Sequence, residues 1–69
     1  MRKEHVESSN IESIGYDSKS QTLEIEFLNG SIYQYFDVPQ HIYDGLMGAD
    51  SHGKYLAANI KGHYRYSKV

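Results

Sequence analysis

The chain contains no cysteine and no tryptophan, a single proline, and no apolar run long enough to cross a membrane. Without cysteine there is neither a disulfide nor a thiolate metal site to staple a small fold, a composition that suits a reducing cytoplasm. The charged start, Met1 to His5, is not followed by the apolar stretch of a secretion signal. A cytoplasmic protein without membrane attachment is therefore expected. Histidines at 41, 52 and 63 do not have the short spacing of a metal pair, so neither metal nor cofactor is expected. The last nineteen residues lack something else: all nine carboxylates lie in residues 1–50, which carry a net −6, whereas residues 51–69 carry Lys54, Lys61, Arg65 and Lys68 and a net +4. A net charge of −2 over 69 residues argues against a general polyanion binder, but this asymmetry points to one basic face.

What is present is tyrosine, seven copies against two phenylalanines. A ring with a polar tip serves a shallow core and a recognition surface equally well. A chain of this length makes one domain and buries only about 60% of its unfolded surface. Residues 1–8 are polar and aperiodic and read as a flexible arm, leaving 9–69 as a single domain.

Alternation marks three strands. "NIESIGYD" places Ile14 and Tyr16 on one face. "TLEIEFL" places Leu23, Ile25 and Phe27 opposite Thr22, Glu24 and Glu26, and "SIYQYF" returns after Asn29-Gly30. A two-residue type I′ turn at Asn29-Gly30 sets Phe27 against Ile32, Ile25 against Gln34 and Leu23 against Phe36. The expected core face is then Leu23, Ile25, Phe27, Ile32 and Phe36, with Tyr33 and Tyr35 on the solvated face beside Glu26 and Glu24. A longer or bulged turn would instead move both tyrosines to the core. After Pro39, Ile42, Tyr43, Leu46 and Met47 recur at helical spacing, with Gly48 as a C-cap. A second helix begins at Asp50 or Ser51, points Tyr55, Leu56, Asn59 and Ile60 inward or partly inward and stops at Gly62. "HYRYSKV" alternates again, as a short C-terminal strand or an extended tail. The expected fold is α+β: a three-stranded antiparallel β-meander followed by two α-helices.

Several residues along this path form a recognisable set: Tyr33-x-Tyr35, then Val38-Pro39, then Ser51-x-Gly53-Lys54-Tyr55, then Ile60-Lys61 and a closing tyrosine-basic stretch. In this order and spacing the chain, from about residue 8 to 69, resembles the KTSC domain family. That family is met at the C-terminus of some lysyl-tRNA synthetases and as stand-alone bacterial and phage proteins. The company it keeps implies RNA, tRNA-like or single-stranded, as a partner. Where the family commonly reads Phe-Asn this chain has Leu56-Ala57, so no role is carried over to that position.

The residues themselves support the same chemistry. Single-stranded RNA is held by aromatic rings that stack bases and by cations that meet phosphates. Tyr33 and Tyr35, or Tyr64 and Tyr66, offer the rings. Lys54, Lys61, Arg65 and Lys68 offer cations, and Tyr55 adjoins them. Against this, Glu24 and Glu26 beside Tyr33 and Tyr35 would repel phosphate, and four cations are few. A protein partner or self-association through the same tyrosines is the alternative. An enzyme is not expected. Ser51 and His52 are helix neighbours that cannot face each other, and "GKY" lacks the glycine-rich loop and the hydroxyl residue of a phosphate-binding loop.

Overall fold

A computed structural model describes residues 2–69. Residue 1 of the expected arm lies outside the described residues. The chain forms β1 (Lys3–His5), β2 (Ile11–Asp17), β3 (Thr22–Phe27), β4 (Ile32–Tyr35), α1 (Gln40–Gly48), α2 (His52–Asn59) and β5 (Tyr66–Lys68). All five strands make one antiparallel sheet in chain order, with both helices inserted between β4 and β5. The α+β architecture and the two helices match the expectation, but the sheet has five strands, four of them before the helices.

The added strand is β1, in the stretch that composition alone leaves as an arm. It holds the sheet through charge. Lys3 Nζ donates to Glu26 Oε1 at 2.8 Å and lies 3.4 Å from Glu24 Oε2, while His5 Nδ1 meets Glu12 Oε2 at 2.8 Å. Val6 behind it is buried, and its amide donates to the Glu12 carbonyl. The bond to Glu12 is the largest cause raising His5 above its ordinary value of 6.5. Its contribution is therefore complete below pH 6.5 and lost as pH rises through the raised value. The bond from Lys3 is the largest cause lowering Glu26 below 4.5. That contribution is complete above pH 4.5 and lost as pH falls through the lowered value. Protection of the amides of residues 3–6, relative to their intrinsic exchange rates, is thus expected to be greatest between these two pH values. The effect should be few-fold and weakened by salt, because the groups are solvated. Protection factors that stay flat from pH 4 to 8 would refute the electrostatic hold.

The β3–β4 turn decides the two faces of the sheet. Gly30 has φ +90°, but Asn29 is not left-handed, so the type I′ turn does not form. Instead Gly30 N donates to Phe27 O at 2.9 Å, Phe27 N donates to Ser31 O at 2.8 Å, and Asn29 Oδ1 accepts from Ser31 N. This is a three-residue loop, Leu28 to Gly30, with a glycine bulge. The register moves by one residue: Ile25 pairs with Tyr33 and Leu23 with Tyr35, while Glu26 pairs with Ile32 and Glu24 with Gln34. Ile32 therefore leaves the expected core face, and Phe36 is only half-buried beyond the end of β4. Tyr33 and Tyr35 take their places.

The core is Ile11, Ile14, Leu23, Ile25, Tyr35, Val38, Leu46, Leu56 and Ile60, with Val6 at its margin. Val38 ties the helices to the sheet. Its amide donates to Gln21 O at 2.9 Å and its carbonyl accepts from the Tyr16 hydroxyl. Pro39 is the N-cap of α1, and Gly48, expected as the C-cap, is instead its last residue, with Ala49 as C-cap. Leu46 is buried, and Ile42, Tyr43 and Met47 pack around it. Ser51 caps α2 by accepting from Lys54 N. His52 Nδ1 donates to Leu46 O at 2.8 Å, joining the end of α1 to the start of α2. Asn59, expected to point partly inward, is exposed.

Candidate nucleic-acid interface

On the helix-facing side of the sheet, the register sets Tyr35 against Tyr66 and Tyr33 against Lys68. Directly paired residues of neighbouring strands project on the same face, so Tyr33, Tyr35, Tyr66 and Lys68 form one patch. The helices do not cover all of it. α2 ends at Asn59, and Gly62, at φ +80°, turns the chain back toward β5. A cavity of about 560 Å³ is left between the sheet and this turn, within the size range of small-ligand sites.

Tyr33, Tyr35 and Tyr66 line the cavity, with ring centroids of Tyr66 5.9 Å from each of the other two. Phe27 packs edge-on against Tyr33 at 5.8 Å, and Lys61 Nζ lies 5.6 Å from the Phe27 ring centre. Asn29 and Ser31 of the β3–β4 turn close one side. The rings differ in accessibility. Tyr35 is 3% exposed, Tyr33 is half-buried and Tyr66 is 62% exposed. Burial is the main cause raising the Tyr35 phenol above its ordinary range, followed by Tyr33 and Tyr66, so it is a neutral ring.

Among the described residues, no carboxylate lines the cavity. Glu24 and Glu26, expected beside the tyrosines, occupy the opposite face, where Lys3 and Gln34 satisfy them. The one-residue shift thus separates the aromatic groups from the acidic ones. Lys61 and Lys68 make no ion pair among the described residues.

The other proposed site residues are elsewhere. Tyr55 packs over Gly45 between the two helices. Lys54 is exposed on the first turn of α2 and lines neither hollow. Tyr64, half-buried, and Arg65 border a second, shallower hollow with Phe36, His63, Gly62 and Tyr66. Arg65 lies 5.7 Å from the Phe36 ring centre and pairs with Asp37 at 2.8 Å. Residue patterns missed Phe27, Asn29, Ser31 and Phe36 as lining groups. The two phenylalanines looked like core, and the turn pair looked purely structural. Only the bulged turn, an alternative that Asn-Gly equally permits, would have exposed their role.

The KTSC domain family model matches residues 7–64. The chain belongs to the KTSC domain family. A crystal structure of a KTSC domain protein from Yersinia pestis superposes with a TM-score of 0.93 at 39% identity, covering 99% of this chain and 96% of that one. An uncharacterized protein of Stutzerimonas stutzeri is 39% identical over 70 residues, spanning 100% of this chain and 99% of its own length. A lysine–tRNA ligase of Nostoc punctiforme is 40% identical over 63 residues, 91% of this chain but 11% of the ligase. KTSC domains therefore occur both as small proteins and within a tRNA ligase. No described helix is long and apolar enough to cross a membrane, and no cluster of metal-ligating side chains occurs among the described residues.

Proposed function

We propose that this KTSC domain is a non-catalytic RNA-binding module that stacks an unpaired base in the Tyr33–Tyr35–Tyr66 cavity, with Lys61 and Lys68 meeting the neighbouring phosphate. The observation that carries this reading is the composition of the cavity wall: four aromatic rings, one unpaired lysine and no carboxylate. A base needs a π-face, a phosphate needs a cation, and a nearby carboxylate would oppose both. The occurrence of a homologous region in a tRNA ligase agrees with this partner. A protein partner has separate support in β5, whose three residues are all exposed at the sheet edge, where an added strand could pair.

The test is an NMR amide titration with short single-stranded RNA at low and physiological salt, using wild type, Tyr66→Ala and Lys61→Glu. Tyr66 is largely exposed, so its loss should leave the fold intact. One stacked base contributes about 1–3 kcal/mol, so Tyr66→Ala should weaken binding roughly 5- to 150-fold. Lys61→Glu should weaken it further at low salt than at high salt. Shifts should gather on residues 27–35 and 61–68. Salt-independent shifts confined to the β5 edge on adding protein, with none on adding RNA, would replace the RNA reading with strand addition.

A further inference from the structure

Aromatic faces hold any base, so what the tyrosine cavity prefers is decided by the polar groups of its wall. Asn29 is the most constrained of them. Its Oδ1 accepts from Ser31 N at 3.0 Å. A backbone amide can only donate, so it is the side-chain oxygen, not the nitrogen, that faces the turn. The oxygen is thereby engaged, whereas Nδ2 makes no hydrogen bond among the described residues and keeps both of its hydrogens free. The cavity floor carries a second free group. Tyr35 is only 3% exposed. Unlike Tyr16, whose hydroxyl donates to Val38 O, it makes no side-chain hydrogen bond among the described residues. No side-chain oxygen among them is both shut away and unpartnered, so the Tyr35 hydroxyl opens into the cavity that its residue lines. A polar tip left free on a ring so deeply buried marks a place for a ligand atom. Lys61 adds further donors to the wall. No lining side chain among the described residues is a fixed acceptor, since carboxylates are absent and the Asn29 oxygen is taken. The hydroxyls of Ser31 and the tyrosines serve either role.

A wall with fixed donors and no fixed acceptor matches a base that presents a carbonyl. We propose that the cavity selects a keto base, uracil or guanine, over an amino base, cytosine or adenine, and that Asn29 Nδ2 is the group that discriminates. This rests on the RNA reading above and adds which bases the cavity takes. The exocyclic oxygen, O4 of uracil or O6 of guanine, accepts from Nδ2. An exocyclic amino group in the same place sets donor against donor and leaves Nδ2 unpaired once the base has excluded water. The two-bond pairing of asparagine with adenine needs the amide oxygen as well as the nitrogen, and here the oxygen is committed to Ser31 N. The Tyr35 hydroxyl donates or accepts, so it holds either class of base and does not discriminate.

The experiment is an NMR titration at low salt with the four ribonucleoside monophosphates and with hexauridylate and hexacytidylate, using wild type, Asn29→Asp and Tyr35→Phe. Uridine ligands should bind about 5- to 50-fold more tightly than cytidine ligands, or guanosine than adenosine by a similar factor. A preference in the pyrimidine pair alone names uracil, and one in the purine pair alone names guanine. The Asn29 side-chain amide resonances should move with keto bases only. Asn29→Asp keeps an oxygen for Ser31 N and replaces the free donor by an acceptor. Its added charge weakens every nucleotide alike, so the readout is the ratio within each pair, and the keto preference should vanish or reverse. Tyr35→Phe should lower affinity for both classes by about 3- to 10-fold and leave the ratio unchanged. Equal affinity within both pairs, a preference that Asn29→Asp leaves intact, or wild-type affinity in Tyr35→Phe would overturn this seating of the base and leave the RNA reading standing. Silence with every nucleotide and oligonucleotide, from a folded wild-type domain, would overturn both.

Discussion

Tyr35→Ala is expected to unfold most of the molecules at room temperature, whereas Tyr66→Ala leaves the fold intact and weakens RNA binding roughly 5- to 150-fold. The two rings touch, and both line the same cavity, yet they do different work. Tyr35 is 3% exposed and is paired with Leu23 in the middle of the sheet. Truncating a buried aromatic to alanine costs about 3–5 kcal/mol, because transfer free energy is lost and a void remains. A chain of this length has roughly 3–10 kcal/mol of stability in total. The loss at Tyr35 is therefore comparable to the whole margin, a fall in melting temperature of about 15 °C or more. Urea melts of Tyr35→Ala, Tyr35→Phe and Tyr66→Ala check this. Tyr35→Phe keeps the ring and should lie within about 1.5 kcal/mol of wild type. A Tyr35→Ala midpoint close to wild type would show that the ring is not part of the core.

That contrast follows from one turn. Asn29-Gly30 permits two hairpins, and only the conformation of Asn29 separates them. A type I′ turn requires both residues at positive φ, whereas the bulged loop requires it of Gly30 alone. Alternation in the strands is compatible with either, since Ile32, Tyr33, Tyr35 and Phe36 put an apolar group on each face. Contacts made elsewhere in the sheet accompany the bulged register, which sets Gln34 directly across from Glu24. Lys3 arrives from β1 to neutralise Glu24 and Glu26 on the open face, and Gln34 donates to Glu24. Those partners are more than twenty residues away or across the strand pair, and no local pattern reports them. For the same reason β1 is invisible to periodicity: three residues of edge strand carry no repeat. The elements whose signals are local were legible. Ser51 caps α2, Leu46 and Leu56 are buried, and the Tyr64–Tyr66 alternation ends in a strand. The cavity was half legible. Its tyrosines and Lys61 were in view, but their meeting depends on where α2 stops over the sheet.

The second large effect concerns Gly45, where two opposing terms can be compared directly. Glycine inside a helix normally costs about 1 kcal/mol relative to alanine, so Gly45→Ala on an open surface would stabilise α1. Here the surface is not open. A Cβ at Gly45 would lie 2.8 Å from Cζ of Tyr55 and 3.1 Å from its Cε2. Tyr55 is half-buried against the core and seats α2 on α1. Its ring can retreat only by separating the helices, and overpacking of this kind costs about 1–3 kcal/mol. Gly45→Ala is therefore expected to lose about 1 kcal/mol net. Gly45→Val, which adds two methyls and a β-branch, should lose about 3 kcal/mol. The decisive measurement is a double-mutant cycle by chemical denaturation. In a Tyr55→Ala background the obstruction is gone, so Gly45→Ala should change sign and stabilise by up to about 1 kcal/mol. Equal effects in both backgrounds would mean that the ring does not hold this position. The same cycle separates packing from binding at Tyr55, whose ring borders neither hollow. Tyr55→Ala should lower stability while RNA affinity per folded molecule stays at the wild-type value.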